Sequence, residues 1–220
     1  MKREEVCALL KKIGILPSVR VTSQDLANFA AETVYAAGIP IVEITLTVPG
    51  ALEVVKDLAR RFPDLAVGAG TVLDEESAQR CIEAGARFLT SPGFVPEVVA
   101  YARKADVVTL PGALTPTEII AAWKAGSDFV KIFPTGHVGG IQYVRALKVP
   151  LPQIPLIATG GVSQVNAFEF IIAGATAIGV GGELLPKEAP HFRQVDRIHE
   201  LASRFLAMVR DARALRETYY

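Results

Sequence analysis

The chain has 220 residues, half of them hydrophobic, and 23 basic side chains balance 23 acidic ones. That length suits one large domain with a sizeable core. The even charge excludes both the basic excess of a nucleic-acid binder and the acidic tail of a disordered partner segment. No stretch approaches about 18 uninterrupted apolar residues, so no membrane-spanning helix and no membrane partner are expected. The start, Met1-Lys-Arg-Glu-Glu5, carries two acids and lacks the apolar region of a signal peptide. Cys7 and Cys81 have no metal-ligand spacing and read as reduced thiols of a cytoplasmic protein with no metal site. No low-complexity linker interrupts the sequence, so residues 1–220 are expected to form a single domain.

In chain order, a short amphipathic helix is expected over residues 4–12, followed by an apolar run at 13–21. Ser23 is placed to cap a helix that runs through Ala36 and stops at Ala37-Gly38, where a second run begins, at 39–46. The same alternation continues. Runs at 65–71, 86–91, 106–110, 127–133, 154–159 and 175–180 are separated by helix-period segments. Start signals for those helices are Asp74, Thr115 with Pro116, and Ser163; stop signals are Ala84-Gly85, Ala125-Gly126 and Ala173-Gly174. Glycine at a helix end accepts the left-handed conformation that ends the helix. The last segment, about 193–216, has Ile198, Leu201, Phe205, Met208, Val209, Ala212 and Leu215 near helical spacing, which describes a helix packed by one face.

Continuous apolar runs without alternation belong to strands covered on both faces, as in parallel sheets. Eight such strands alternating with helices predict a (β/α)8 TIM barrel, with residues 4–12 as an extra helix across its bottom. A doubly wound open sheet is the alternative, though five or six strands would satisfy it.

Barrels of this kind gather their chemistry at the C-terminal ends of the strands. Polar residues sit there in otherwise apolar runs: Arg20, Glu43, Thr71, Ser91, Lys131 and Thr159. Lys131 is the most informative. It lies inside Asp128-Phe-Val-Lys-Ile-Phe-Pro134, and lysine is almost never fully buried without a partner or a task. An amine in an apolar pocket loses part of the stabilisation of its charged form, and so can attack a carbonyl to give a Schiff base. The bland alternative is a lysine snorkelling to solvent at a strand end. Glu43, between Val42 and Ile44, reads either as a general base or as a carboxylate that merely pairs with Arg20 or Lys131. Arg20 presents a planar fork suited to a substrate carboxylate, unless it is simply solvated. Gly160-Gly161 follows the seventh run, and Gly181-Gly182 follows the eighth. Loops at these two places commonly build a phosphate site, because glycine lets backbone N–H groups approach the oxygens. His137 reads as a loop histidine.

These pieces resemble the class I aldolases of 2-keto-3-deoxy-6-phosphogluconate (KDPG), also called 4-hydroxy-2-oxoglutarate aldolases. The similarity spans about residues 5–210. It is carried by Val42-Glu-Ile-Thr-Leu46, Gly68-Ala-Gly-Thr-Val72, Ser91-Pro-Gly93, Leu110-Pro-Gly112 with Thr115-Pro-Thr-Glu118, Phe129-Val-Lys-Ile-Phe-Pro134 and Thr159-Gly-Gly-Val162. The resemblance implies that Lys131 is the Schiff-base lysine and Glu43 the acid/base. It implies that Thr71, Pro92, Phe133 and Thr159 line a pyruvate pocket, and that Gly160, Gly161 and Gly181 hold the phosphate. It also implies a homotrimer that needs no metal or other cofactor. Substrates open within the family are KDPG, 2-keto-3-deoxy-6-phosphogalactonate, 4-hydroxy-2-oxoglutarate and non-phosphorylated 2-keto-3-deoxy acids.

Two departures stand out. Many members carry an arginine in a Leu-Arg-Thr context after the glutamate strand, where this chain has Thr47 before Val48-Pro49. Arg20 matches a second pattern, in which the carboxylate clamp moves to the first strand. Members also often place a serine in the last strand's loop, where this chain has Gly182 followed by Glu183. That change leaves a non-phosphorylated substrate open. A catalytically silent trimeric scaffold is the expectation of a different class.

Overall fold

The computed structural model describes residues 1–219. The first half of the chain runs α1 (Arg3–Ile13), β1 (Ile15–Val19), α2 (Gln24–Ala36), β2 (Ile41–Thr45), α3 (Ala51–Arg61), β3 (Ala66–Gly70), α4 (Glu75–Glu83), β4 (Phe88–Thr90), α5 (Pro96–Lys104) and β5 (Val108–Leu110). The second half continues with β6 (Gly112–Ala113), α6 (Pro116–Lys124), β7 (Val130–Ile132), a 3₁₀ turn (Thr135–Val138), α7 (Gly140–Lys148), β8 (Leu156–Thr159), α8 (Ala167–Ile172), β9 (Ala177–Val180), α9 (Glu188–His191) and α10 (Val195–Tyr219).

All strand pairs are parallel, in the order β5-β4-β3-β2-β1-β9-β8-β7-β6. The two outer members are pieces of one strand broken at Pro111. Lys131 N donates to the Pro111 carbonyl at 2.9 Å, and Phe129 N donates to the Thr109 carbonyl at 3.3 Å, so the break is bridged and the sheet closes as a (β/α)8 barrel. The expected fifth run stopped at 110 because Pro-Gly reads as a turn. In the fold it continues to Ala113: proline has no N–H to give the ladder, but its carbonyl still accepts.

The interior follows from the runs. Every residue of β2, β3, β4, β5, β7 and β9 is buried, as expected of strands covered on both faces. α1 lies across the N-terminal end. Arg3 pairs with Asp128 at 2.8 Å just ahead of β7, and Lys11 Nζ sits 6.0 Å from the Phe129 ring centroid. Cys7 lies beside the same carboxylate. Burial first, and then Asp128, push its thiol up to about 12; burial pushes Cys81 up to about 11, so both free thiols stay protonated. In α10, Ile198, Leu201, Phe205, Val209 and Ala212 are buried, whereas Leu215 is 42% exposed and drops out of the expected stripe.

Ser23, Asp74 and Thr115 cap α2, α4 and α6 as expected, the last in a reciprocal box with Glu118. Ser163 does not cap α8. Asn166 ties Ser163 N (2.8 Å) to the Gly161 carbonyl (2.9 Å), so residues 162–166 form a loop and the helix starts later, at Ala167.

The helix stops share one geometry. At Gly38, Gly85, Gly126 and Gly174, φ lies between 90° and 104°. At each, the next N–H reaches back five residues, as Ile39 does to Val34 and Ala86 to Cys81. Asp106 makes the same stop for α5 at φ 57°, with Val107 N bonded to the Ala102 carbonyl at 2.9 Å. A side chain pays a conformational penalty there that glycine avoids. Asp106→Gly should therefore stabilise the protein by about 1 kcal/mol, read as a melting temperature raised by roughly 2–4 °C. An unchanged or lowered midpoint would contradict this.

Candidate active site

Counting the broken strand once, the ring has eight positions, and β2 and β7 lie four apart in either direction. They face each other across the barrel. Each carries one charged residue in an apolar frame: Glu43 between Val42 and Ile44, Lys131 between Val130 and Ile132. Side chains alternate along a strand, so packing the apolar neighbours against the helices turns Glu43 and Lys131 inward.

Lys131 is 9% exposed. Its Nζ lies 5.3 Å from the Phe133 ring centroid, and it makes no ion pair or hydrogen bond with another described residue. The snorkelling alternative is thereby excluded.

Glu43 is 2% exposed and does not pair with Arg20 or Lys131. It is held by two hydroxyls. Ser18 Oγ donates to Oε1 at 2.8 Å, and Thr90 Oγ1 donates to Oε2 at 2.9 Å. The register explains both. Ser18 is the cross-strand partner of Glu43, so their side chains project to the same side. The pairing of Ala69 with Leu89 puts Thr90 beside Gly70, and the Glu43 side chain crosses Gly70 to reach it. A Cβ at Gly70 would lie 2.2 Å from Oε1, so only glycine leaves the path open.

The remaining walls come from strand ends and their loops. Arg20 is exposed at the rim. Its guanidinium donates to Thr47 Oγ1 at 3.2 Å, and Thr47 in turn shares a 2.8 Å contact with Thr45. Thr71 ends β3 at φ 64°, a backbone state that a β-branched residue adopts only under constraint. Pro92 is braced from below: a Cβ at Gly112 would meet its carbonyl oxygen at 2.1 Å. Thr159 lies over Gly179, whose missing Cβ would fall 2.4 Å from Thr159 Oγ1. That hydroxyl is buried and has no hydrogen-bond partner among the described residues, so it is available to something in the cavity. Thr135 joins the loops after β7 and β8. Its hydroxyl donates to the Ile132 carbonyl at 2.6 Å and accepts from Thr159 N at 3.1 Å. Gly160 and Gly161, at φ 82° and 84°, pack on Pro134 and Gly136 with no room for side chains.

Together these residues enclose a cavity of about 470 Å³. Lys131, Glu43, Arg20, Thr71, Pro92, Phe133, Thr159, Gly160, Gly161, Gly181 and Gly182 line it as expected; Ser91 does not, its buried hydroxyl donating to the Gly93 carbonyl at 2.7 Å instead. Glu183 lines it too and makes no ion pair or hydrogen bond with another described residue. His137 is exposed and lies outside the lining, as expected of a loop histidine. The sequence reading missed Ser18, Thr90, Thr135, Ser163 as a wall residue, and the supporting glycines 70, 112 and 179. Hydroxyls and glycines in strands are common, and only the register showed what they serve. An amine that can add to a carbonyl thus faces a carboxylate that can move a proton, in a cavity sized for a small molecule.

Residues 6–201 match the family described as Aldolase: KDPG and KHG aldolase. The chain is 32% identical over 209 residues to a 2-dehydro-3-deoxy-phosphogluconate aldolase of Pseudomonas aeruginosa, covering 93% of this chain and 94% of that one. It is 29% identical over 188 residues to a KHG/KDPG aldolase of Escherichia coli, covering 86% and 88%. Among solved structures it superposes with a TM-score of 0.83 on KDPG aldolase from Legionella pneumophila, in which pyruvate is captured as a covalent carbinolamine; the identity is 29%, covering 89% and 95%. The folded ring, the facing amine and carboxylate, and these matches agree: the chain belongs to the KDPG and KHG aldolase family.

Proposed function

We propose that the protein is a class I aldolase that reversibly cleaves 2-keto-3-deoxy-6-phosphogluconate to pyruvate and glyceraldehyde 3-phosphate. The observation that carries this is the Lys131 amine, unpaired among the described residues, facing Glu43 across the barrel mouth. Lys131 Nζ adds to the C2 ketone of the substrate and water leaves, giving a protonated imine. Glu43 takes the proton of the C4 hydroxyl, directly or through water. The C3–C4 electrons flow into the imine, and the aldehyde departs. The enamine carbon then takes a proton back from Glu43, and water hydrolyses the imine to release pyruvate and the free amine.

The other wall residues fit this substrate. Arg20, steadied by Thr47, faces the C1 carboxylate in place of the arginine that many relatives carry at position 47. Thr71, Pro92, Phe133 and the free hydroxyl of Thr159 enclose the pyruvyl part. The backbone of Gly160, Gly161, Gly181 and Gly182 takes the distal end. The family resemblance supports a homotrimer working in the cytoplasm without a cofactor.

One observation favours a second substrate reading within the same chemistry. The carboxylate of Glu183 borders the glycine loops, and a phosphate dianion seated there would meet a like charge. A non-phosphorylated 2-keto-3-deoxy sugar acid meets no such opposition at its uncharged distal hydroxyl, whereas the distal carboxylate of 4-hydroxy-2-oxoglutarate meets it with a single charge.

Two experiments test these points. Borohydride reduction in the presence of pyruvate should fix a three-carbon adduct on Lys131, and Lys131→Ala should lower turnover by about 10³-fold or more. An intact protein that yields no adduct would favour the silent scaffold. Separately, Glu183→Gln should raise kcat/KM for the phosphorylated acid about 10-fold relative to its non-phosphorylated counterpart, the gain from removing one like charge. An unchanged ratio would mean that Glu183 does not sense the distal end.

A further inference from the structure

Glu43 is the one carboxylate that the proposed chemistry needs, and both its oxygens are held by side chains to which no role has so far been given. Ser18 Oγ reaches Oε1 from β1, and Thr90 Oγ1 reaches Oε2 from β4. The two strands flank the β2–β3 pair on opposite sides, so the carboxylate is gripped from both edges of a four-strand arc. We propose that Ser18 and Thr90 are positioning residues for the proton transfer: their paired hydroxyls hold Glu43 as an oriented carboxylate base and keep it from swinging onto Lys131.

Three observations converge on this. A carboxylate with only apolar neighbours would have to be protonated or find a cation when 98% of its surface is withdrawn from water. The charged groups that share its cavity are Arg20, Lys131 and Glu183, and it ion-pairs with none of them. The two hydroxyl donors supply the stabilisation that a cation otherwise would, and hydrogen bonds to the charged form favour it. Each donor occupies one lone-pair direction on its oxygen, and each oxygen keeps a second. The side chain is also confined sterically, because it crosses the bare backbone of Gly70 at a distance no Cβ could share. The residues are not equivalent. Ser18 is half-buried and lines the cavity, so it borders substrate, whereas Thr90 is 1% exposed and touches Glu43 from behind.

This inference rests on the reading of Glu43 as the proton carrier. It goes further by predicting which step fails when a hydroxyl is removed. Schiff-base formation by Lys131 does not use the two hydroxyls; transfer of a proton to or from carbon does.

The test uses pyruvate and the full-length protein. Borohydride trapping reads imine formation, and loss of the pyruvate methyl proton signal in deuterium oxide reads proton transfer at the enamine carbon. Thr90→Val keeps the shape and deletes the donor; Thr90→Ser keeps the donor. Ser18→Ala deletes the second donor. Thr90→Val and Ser18→Ala should each slow methyl exchange and cleavage kcat by about 10- to 100-fold, the scale of general acid–base catalysis, with KM and adduct yield held within about twofold. Thr90→Ser should restore exchange. The inference is overturned if Thr90→Val and Ser18→Ala exchange protons at the native rate. It is equally overturned if Thr90→Ser is as slow as Thr90→Val, which would make the loss one of packing. Failure of the parent reading looks different: the unsubstituted protein would give no adduct, or Glu43→Gln would exchange methyl protons at the native rate, and the inference would fall with it.

Discussion

One constraint governs the molecule: a closed ring of parallel strands holds an amine and a carboxylate on opposite walls. Eight positions place β2 and β7 as far apart as the ring allows. Side-chain alternation turns Glu43 and Lys131 into the space between them. Were the two groups in contact, the carboxylate would stabilise the ammonium by on the order of 4 kcal/mol at an effective dielectric near 20. The amine's lone pair would then be out of reach of a ketone. The fold avoids that by giving each group its own company. Lys131 sits above the Phe133 ring, and Glu43 is met by Ser18 and Thr90.

That separation has a structural cost carried by small residues. Gly70 leaves the track along which Glu43 lies, Gly179 leaves the space over which Thr159 leans, and Gly112 lets Pro92 close the wall. Thr71 holds φ 64° beside them, a state that costs a non-glycine residue of order 1–3 kcal/mol and persists only where its surroundings over-determine it. The apolar strand faces and the helices packed on them supply the stability that such a mouth consumes. Hydrogen bonds between loops, from Thr159 N to Thr135 Oγ1 and from Gly136 N to the Gly160 carbonyl, then hold the ends of β7 and β8 in register above the lysine.

Much of this was legible in the residues. The barrel could be read because apolar runs of strand length alternate with helices that announce their stops. The charged site residues could be read because lysine and glutamate are rarely buried inside such runs without a partner or a task, and the structure then set aside the snorkelling and pairing alternatives. What escaped has physical reasons. Pro111 hid the continuation of the fifth strand, because proline signals an end when its N–H is considered and not when its carbonyl is. Ser163 looked like a helix cap, but its hydroxyl accepts from Val165 N within a loop that Asn166 ties down, and the helix begins only at Ala167. Asp106 hid a fifth copy of the glycine stop, since composition alone does not reveal φ. Ser18 and Thr90 were invisible for a different reason. A hydroxyl in a strand has meaning only through its partner, and partners are set by register across strands 25 and 47 residues apart in sequence.

The most direct measurement is a crystal structure of the protein soaked with pyruvate at neutral pH. The account predicts continuous density from Lys131 Nζ to C2 of pyruvate, with Glu43 still bonded to Ser18 and Thr90 and its free lone pairs toward the methyl carbon. Pyruvate bound without a covalent link, or Glu43 turned to form an ion pair with Lys131, would contradict it.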